Sequence, residues 1–454
     1  MTEQPLVHAQ WSSRMAFILA ASGSAIGLGN IWKFPYLAGQ NGGGAFVMVY
    51  LLCVAIIGVP IMIAETMLGR RGRQSPINAL LTLAKEAKAS PNWHYAGWLG
   101  VIAGFLILSY YSVIAGWAMA YMFKINNALF ERIDAENATR LFNEFKSSHE
   151  FLLIWHSLFM AATMLIVSRG VSGGLERATR FMMPALFIML ILLDLYAMNS
   201  GGFGQSLAFL FNPDFDKLSG AGVLAAMGQA FFSLGLGMGS IMVYGSYLPS
   251  HVSIARSTVF VASTDTLVAV MAGLAIFPIV FANRLEPAMG PGLIFQTLPI
   301  AFGQMSSGWL FGVLFFALIF LAAITSAIAL IEPAVAWLSE NLGLSRKRAS
   351  LYSGLACWLV GLGTVFSFNL WSEVKWFGKT FFELVDFVTA NLMLPIGGVL
   401  VALFAGWIMR REASETELQM GDGPAFNIWR VLVRYAAPIG VAIVFLDAFG
   451  LFQP

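Results

Sequence analysis

The sequence predicts an all-α integral membrane protein with eleven transmembrane helices, built as an inverted five-plus-five helix repeat with broken helices 1 and 6. Hydrophobic residues make up 58% and charged residues 11% of the 454 residues, whereas charged residues are about 25% of an ordinary soluble domain. Apolar stretches recur at the length of about 20 residues that a helix needs to cross a bilayer. The first and sixth of these stretches are interrupted by glycines, which is typical of membrane proteins built from two helical repeats.

The apolar stretches define the spans in order. They cover about residues 13–37, 43–69, 93–123, 151–168, 181–199, 221–248, 257–283, 307–338, 349–370, 381–409 and 431–450. Helices are expected because backbone polar groups in lipid must be satisfied within the segment, and no alternating barrel pattern occurs. The polar loops, chiefly 124–150 and 200–220, are too short for a soluble domain.

One transmembrane domain is therefore predicted, with three parts. A cytoplasmic segment of residues 1–12 precedes a domain of residues 13–450, which comprises repeat one at about 13–199, repeat two at about 221–409 and an extra helix at about 431–450. With the N-terminus inside, 17 of the 26 lysines and arginines lie in cytoplasmic segments. The positive-inside rule thus predicts a cytoplasmic N-terminus and, with eleven spans, an extracytoplasmic C-terminus.

Several classes of protein are disfavoured by the composition. The net charge of +2 gives no indication of a nucleic-acid partner. Cys53 and Cys357 both lie in apolar stretches, which supports neither a disulfide framework nor a metal site. The N-terminus lacks the charged and apolar regions of a removable signal peptide. The sequence contains neither a metal-ligand cluster nor a nucleophile with an obvious histidine partner, so it does not indicate an enzyme.

The glycine-rich centres of spans 1 and 6 read SGSAIGLGNIWKFP, from Ser22 to Pro35, and GQAFFSLGLGMGSIMVYGSY. Unwound residues free carbonyls that bind sodium, and the N-terminus of the next half-helix binds a carboxylate. The alternative is close helix packing, since Gly23-x-x-x-Gly27 has the required small-residue spacing. Polar Asn30, Lys33 and Ser233 favour a binding site, because a packing seam does not require them. A zwitterionic substrate that travels with a cation would suit such a site.

Four blocks extend this interpretation: GSAIGLGNIWKFPYLAGQNGGGAF, SYYSVIAGW, GQAFFSLGLGMGS and AAITSAIALIEP. With them the chain resembles the neurotransmitter:sodium symporter family from about Trp11 to Trp407, specifically the eleven-helix bacterial branch of leucine and hydrophobic amino-acid transporters. The resemblance implies sodium-coupled symport of a neutral amino acid by alternating access in the bacterial inner membrane. Glycine at 235 and flexible Met238 favour bulky hydrophobic or aromatic substrates.

The resemblance also implies two sodium sites and no chloride requirement. The first would use Ala25, Asn30, Ser233 and Asp265 together with the substrate carboxylate. The second would use Gly23, Ile26, Ala322, Thr325 and Ser326, although hydroxyls of the last two residues could instead bond to their own helix. Animal members hold a chloride beside the first site, and the fixed carboxylate of Asp265 would replace it.

Substrate contacts and gates follow from the same resemblance. The substrate residues would be Ser24, Ala25, Leu28, Gly29, Ile107, Tyr111, Phe232, Ser233, Gly235, Met238, Ser326 and Leu330. Tyr111 would bond the carboxylate, and Phe232 would close over the ligand. The gate residues would be Lys33 with Asp386 outside, and His8, Trp11, Arg14, Tyr247 and Glu340 inside. His8 stands where the family commonly has a lysine or arginine, so a solvated tail residue is an equal alternative.

Two competing functions stay open at this point. A proton-coupled amino-acid transporter of the same fold is favoured if Glu332, Asp265 or His8 titrates, and Glu332 either carries protons or pairs with a neighbour. An ion channel lined by the same glycines is less favoured. The expected partners are an amino acid and the lipid bilayer, and the sequence makes no prediction of the oligomeric state.

Overall fold

The structure is a computed structural model that describes residues 9–125, 130, 133–284, 292–305, 307–421 and 423–447. Within these ranges the chain is helical, and the only β-type pairings are isolated bridges of Gly43 with Pro213 and Trp376 with Lys379. The all-α class is therefore confirmed.

The helices are numbered in chain order. They are α1 Arg14–Ala25, α2 Gly29–Gln40, α3 Gly44–Gly72, α4 Pro76–Glu86, α5 Pro91–Lys124, α6 Ala135–Ser147, α7 His149–Val167, α8 Val171–Met198, α9 Phe203–Phe211, α10 Gly220–Ser233, α11 Ser240–Ser246, α12 Ile254–Ala282, α13 Leu298–Gln304, α14 Gly308–Leu342, α15 Arg346–Ser367, α16 Phe381–Ile408, α17 Arg411–Leu418 and α18 Pro424–Leu446. The π-helical turn Leu293–Thr297 precedes α13.

In the described chain, nine helices are long and apolar enough to cross a membrane, and the bent pair α1 and α2 makes a tenth span. The predicted sixth span consists of α10, with 14 residues, and α11, with 7 residues. Neither is as long as the roughly 20 residues that a continuous spanning helix needs. Helix length therefore establishes the membrane fold but not the exact number of eleven.

Two loops and one boundary differ from the prediction. The loops 124–150 and 200–220 contain α6 and α9. The first of these helices is amphipathic and begins where the Asp134 carboxylate accepts from Asn137 N at 2.7 Å. Helix α8 begins at Val171, not near 181, because the charged residues before the apolar stretch are helical as well. Glu176 and Arg180, at 2.7 Å, pair within that first part.

The first helix break lies between α1 and α2, whose axes differ by 53°. Ile26 has an extended ψ of 108°, although its amide still bonds to Ser22 O at 2.7 Å. The next amide, Gly27 N, donates to the Asn30 side chain at 3.1 Å instead of continuing the helix. The Gly23 carbonyl is consequently released from the helix ladder and faces the interior.

The second helix break, residues 234–239, depends on glycine. Gly235, Gly237 and Gly239 have φ of 64°, 78° and 72°, a region that residues with a Cβ atom rarely adopt. A Cβ at position 237 would also lie 2.6 Å from Leu394 O. Both backbone conformation and space therefore require glycine at this position.

Glycine contacts hold this second break between α3 and the scaffold helices α5 and α14. A Cβ at Gly69 of α3 would lie 1.8 Å from Met242 O of α11, so these backbones touch. On the other side, a Cβ at Gly100 would lie 3.1 Å from Gly237 O, and one at Gly104 would lie 3.0 Å from Leu330 O. Small residues thus let the helices approach closely enough to enclose a site.

Candidate functional site

A cavity lies where the two breaks meet. Its lining consists of Ser24, Ala25, Gly27, Leu28, Gly29, Ile107, Tyr111, Phe232, Ser233, Gly235, Met238, Ser240, Ser326 and Leu330. All twelve predicted substrate residues are in this lining, together with Gly27 and Ser240. The structure therefore brings together residues from α1, α2, α5, α10, α14 and both breaks.

One end of the cavity is polar. The Leu28 amide donates to Tyr111 Oη at 3.3 Å. A Cβ at Gly27 would lie 2.7 Å from Ser326 Oγ and 2.9 Å from Tyr111 Oη, so no side chain fits there. Exposed backbone and two hydroxyls at a helix N-terminus provide hydrogen-bond donors for a carboxylate.

The other end of the cavity is apolar and adaptable. Ile107, Phe232, Met238 and Leu330 line it. The nearest atom to a Cβ at Gly235 would be Ser240 Oγ at 3.9 Å, so the space beside this glycine is open. The cavity has a volume of about 40 Å³, and a bulky side chain would need flexible groups such as Met238 to move.

Three of the four residues predicted for the first sodium site, Asn30, Ser233 and Asp265, form a buried cluster, whereas Ala25 lines the adjacent cavity. Asn30 Nδ2 donates to Ser233 Oγ at 3.0 Å and to Asp265 Oδ1 at 2.7 Å. Ser233 Oγ donates to Asp265 Oδ2 at 2.6 Å. Each of the three side chains is at most 2% exposed. The cluster joins α2, α10 and α12 next to the cavity and offers oxygen ligands with one carboxylate, which fit a hard monovalent cation.

Tyr50 completes this cluster and was not predicted. Its hydroxyl lies 3.4 Å from both Ser233 Oγ and Asp265 Oδ2, and the side chain is fully buried. No local pattern indicates this contact, since Tyr50 is one of several aromatic residues in an apolar stretch.

The residues predicted for the second sodium site also meet. Ser326 Oγ contacts the carbonyls of Gly23 at 3.3 Å, Ile26 at 3.0 Å and Ala322 at 3.2 Å. Thr325 Oγ1 bonds to Ala322 O and to Leu321 O, both at 3.0 Å, as membrane hydroxyls commonly do. The carbonyls of the first break therefore face the Ser326 hydroxyl of α14, whereas the Thr325 hydroxyl bonds to its own helix. A neutral oxygen set of this kind fits sodium better than calcium.

The predicted outer gate residues take a different arrangement. Lys33 Nζ lies 4.4 Å from the centre of the Phe232 ring, a cation–π contact. Among the ion pairs of the described residues, none joins Lys33 to Asp386. Gln229, which was not predicted, donates from Nε2 to Gly29 O at 2.9 Å. Phe232 and Gln229 of α10 thus both contact α2, the second half of the first broken helix.

Trp11, one of the residues predicted for the inner gate, is anchored to the end of α11. Its amide donates to Tyr247 O and its indole Nε1 to Tyr244 O, both at 2.9 Å. The Glu340 carboxylate accepts from Ser75 N at 2.8 Å and Asn78 Nδ2 at 2.9 Å. His8 lies outside the described residues, and Arg14 Nε donates to Ser257 Oγ at 3.1 Å.

Glu332 pairs with neighbours. Tyr247 Oη donates to Glu332 Oε1 at 2.7 Å, and the Arg346 guanidinium contacts the other carboxylate oxygen. Arg346 also donates to Val167 O at 3.0 Å. Arg346 was not predicted as a site residue, because the SRKR segment by itself indicates only membrane topology.

A buried acid also holds the second break, and the sequence analysis missed it. Glu65 is 0% exposed and accepts from Gly237 N at 2.7 Å. An acid within a membrane span is itself a functional signal, so the AET sequence of span 2 could have indicated it.

A cavity at the meeting point of two broken membrane helices, with clusters of buried oxygen atoms beside it, is the architecture of a secondary transporter. Comparisons with known proteins specify the class. Residues 8–144 and 151–454 match the sodium:neurotransmitter symporter family, and the chain therefore belongs to that family.

Three similar proteins illustrate the relationship. The sodium-dependent transporter YhdH of Bacillus subtilis is 39% identical over 99% of both chains. A sodium-dependent transporter of Haemophilus influenzae is 31% identical over 96% of this chain and 97% of the relative. The crystal structure of MhsT in complex with L-phenylalanine superposes with a TM-score of 0.89 at 42% identity, over 97% of this chain and 100% of that chain. The protein is a sodium-dependent membrane transporter, and its relatives are transporters, not enzymes.

Proposed function

We propose that the protein carries neutral, bulky hydrophobic or aromatic L-amino acids into the cell together with sodium, by alternating access. The observation that carries this proposal is the cavity with one polar and one apolar end, placed next to a buried carboxylate cluster. A zwitterion fits such a site because its carboxylate meets Tyr111 and exposed backbone, while its side chain meets Met238 and Gly235. The similar MhsT structure holds L-phenylalanine.

Two sodium ions would travel with the substrate. One would bind at the Asn30, Ser233 and Asp265 cluster, where the substrate carboxylate supplies a further oxygen. The other would bind between the Gly23 carbonyl and Ser326, and would hold α1 to α14. No chloride is required, since Asp265 supplies the fixed negative charge beside the first ion. Each ion would stabilise a closed arrangement of the broken helices against the scaffold.

The contacts of Glu332 bear on the proton-coupled alternative. Because Arg346 and Tyr247 both engage its carboxylate, we interpret Glu332 as part of the inner closure. Opening toward the cytoplasm would separate α1 and α11 from α14 and break the Tyr247–Glu332 contact, whereas Trp11 would move together with α11. We further propose the predicted single domain over residues 13–450, with a cytoplasmic N-terminus and an extracytoplasmic C-terminus in the bacterial inner membrane.

Equilibrium binding of all amino acids to the purified protein, in sodium, potassium or choline chloride, tests the proposal. We expect phenylalanine, leucine or tryptophan to bind only in sodium, and sodium and substrate to tighten each other by the same factor, as linkage requires. Uptake into proteoliposomes should follow an inward sodium gradient without a pH gradient. Equal affinity in sodium and choline, or uptake driven by a proton gradient alone, would overturn the proposal.

A further inference from the structure

Ser240 was not predicted as a substrate residue, although it lines the cavity. It is the first residue of α11, directly after the second break. The side chain is 1% exposed, and its Oγ has no hydrogen-bond partner among the described residues. Leaving a buried hydroxyl without a partner is unfavourable. A hydroxyl in this state on the wall of a binding cavity therefore indicates a ligand that completes its hydrogen bonding.

The Ser240 hydroxyl borders the open space beside Gly235. A Cβ atom at Gly235 would lie 3.9 Å from Ser240 Oγ and, apart from its chain neighbours, would have no other heavy atom within 4 Å. The nearest polar atom to this free volume is thus the serine hydroxyl. A ligand atom that enters the space would contact Ser240 Oγ, and a small movement would bring a ring N–H or O–H to the hydrogen-bond distance of about 3 Å.

Three other hydroxyls that line the cavity already have partners. Ser233 Oγ and Ser326 Oγ donate to oxygens of the two predicted sodium sites at 2.6 and 3.0 Å. Tyr111 Oη accepts from a backbone amide at 3.3 Å. Ser24 is partly exposed, so water can satisfy its hydroxyl. In the described lining, Ser240 is therefore the hydroxyl that is both buried and without a partner.

An aromatic ring that carries a hydrogen-bond donor fits these features together. The apolar residues of the lining, among them Ile107 and Met238, would pack against the ring. A serine hydroxyl accepts from an indole N–H or a phenol O–H, each of which is itself a donor that needs a partner when buried. A benzyl or aliphatic side chain would occupy the same space but leave the hydroxyl unpaired. A buried polar group of this kind discriminates against analogues that lack the donor.

We propose that Ser240 selects aromatic L-amino acids whose ring carries an N–H or O–H donor, namely tryptophan and tyrosine, over phenylalanine and leucine. The selection rests on the proposed function, in which the substrate side chain lies at the apolar end of the cavity. The ring would lie beside Gly235, where the missing side chain leaves volume, and would donate to Ser240 Oγ. The residue belongs to neither predicted sodium site, so it would act on the choice of substrate and not on ion binding.

Competition binding to the purified full-length protein in sodium tests the selection with two matched pairs of ligands. Benzothienylalanine replaces the indole N–H of tryptophan with sulfur, and phenylalanine lacks the phenol O–H of tyrosine. We expect the wild type to bind the donor-bearing member of at least one pair roughly three- to tenfold more tightly, since a hydrogen bond between neutral groups contributes about that factor. Ser240→Ala should remove this preference and leave phenylalanine affinity unchanged. The change in the affinity ratio isolates the contact between ligand and hydroxyl.

Ser22→Ala is the matched control. Ser22 Oγ is likewise buried, with the residue 1% exposed, and has no hydrogen-bond partner among the described residues. Ser22 is not in the cavity lining, however, so its removal should leave both affinity ratios unchanged. This variant separates the loss of a buried hydroxyl from the loss of a ligand contact.

Three results would overturn the role of Ser240 and leave the proposed function intact. They are equal wild-type affinities within both pairs, a preference that persists in Ser240→Ala, and an equal loss of preference in Ser22→Ala. If Ser240→Ala also loses phenylalanine binding because it fails to fold, the wild-type affinity ratios decide alone. Failure of all four ligands to bind the wild type in sodium would overturn both the selection and the proposed function.

Discussion

The two helix breaks occupy corresponding positions in the two repeats but are held open by different means. In the first break, none of the residues has a positive φ, and side chains hold the backbone: Asn30 accepts from Gly27 N, and Ser326 contacts the Gly23 and Ile26 carbonyls. In the second break, three glycines adopt a left-handed backbone conformation. Glu65 contacts this segment through a single amide.

Because of this difference, the two breaks have different roles. In the first break, backbone carbonyls contact the Ser326 hydroxyl of α14. The backbone geometry of this break therefore depends on hydrogen bonds that a bound ion could replace. The second break is set by backbone conformation and close packing, so it provides space and shape regardless of ions. We therefore expect substitutions at the second break to act on folding and on ligand size, and substitutions around the first break to act on ion binding.

The largest effect is expected for Gly237→Ala in the second break. Alanine would have to adopt a left-handed backbone conformation here, and its Cβ would lie 2.6 Å from Leu394 O. Together these two effects should lower the free energy of unfolding by about 2–5 kcal/mol. Thermal unfolding of the purified protein measures this loss. Gly29→Ala, at the start of α2, is the matched control, since its Cβ would meet the Phe232 ring at an ordinary 3.4 Å. Equal stability of the two variants would contradict the distinction between the breaks.

The next effect concerns the ion cluster attached to the first break. Asp265→Asn removes the charge that accepts from Asn30 and Ser233. Hydrogen bonds to a charged group contribute about 1.5–3 kcal/mol, so sodium affinity should fall roughly 10- to 100-fold. The sodium dependence of substrate binding measures this change.

Chloride and a second acid provide the controls for Asp265→Asn. Wild-type uptake should persist with gluconate as the only anion, and the residual uptake of the variant should be stimulated by chloride. Asp194→Asn neutralises a partly buried acid of α8 outside the cluster and should leave sodium affinity unchanged. A wild-type chloride requirement, or an equal loss in Asp194→Asn, would reject the role of Asp265.

The smallest and most selective effect is expected for Gly235→Ser. The new side chain enters open space beside the cavity. It should therefore weaken the binding of large ligands by about 1–3 kcal/mol, because it overpacks the pocket. The backbone strain at a φ of 64° is the same for every ligand. Tryptophan affinity should therefore fall more than that of alanine or valine in competition binding. A uniform loss for all ligands would assign Gly235 to helix packing and not to the pocket.

The sequence predicted the residues that line the cavity better than the residues that support them. Glycine-interrupted spans and specific local motifs identify Ser24, Tyr111 and Gly235, since each of these residues lies within a recognisable block. Tyr50 and Arg346 reach their partners from other helices, and nothing near them in the chain indicates the contact. Lys33 shows the same limit, because its contact with Phe232 rather than an ion pair depends on how α2 and α10 pack.

Hydropathy and glycine placement determined the membrane class and the broken spans from the sequence alone, and four sequence blocks carried the resemblance to the symporter family. These properties are local, since burial in lipid demands internal hydrogen bonding of each segment and glycine conformation acts at one residue. Only the tertiary structure decided which oxygens meet at each cluster, that Glu332 pairs with Arg346, and that Glu65 accepts from the Gly237 amide. Those facts depend on distances between helices far apart in sequence, which side-chain packing sets to within an ångström and which no local pattern encodes.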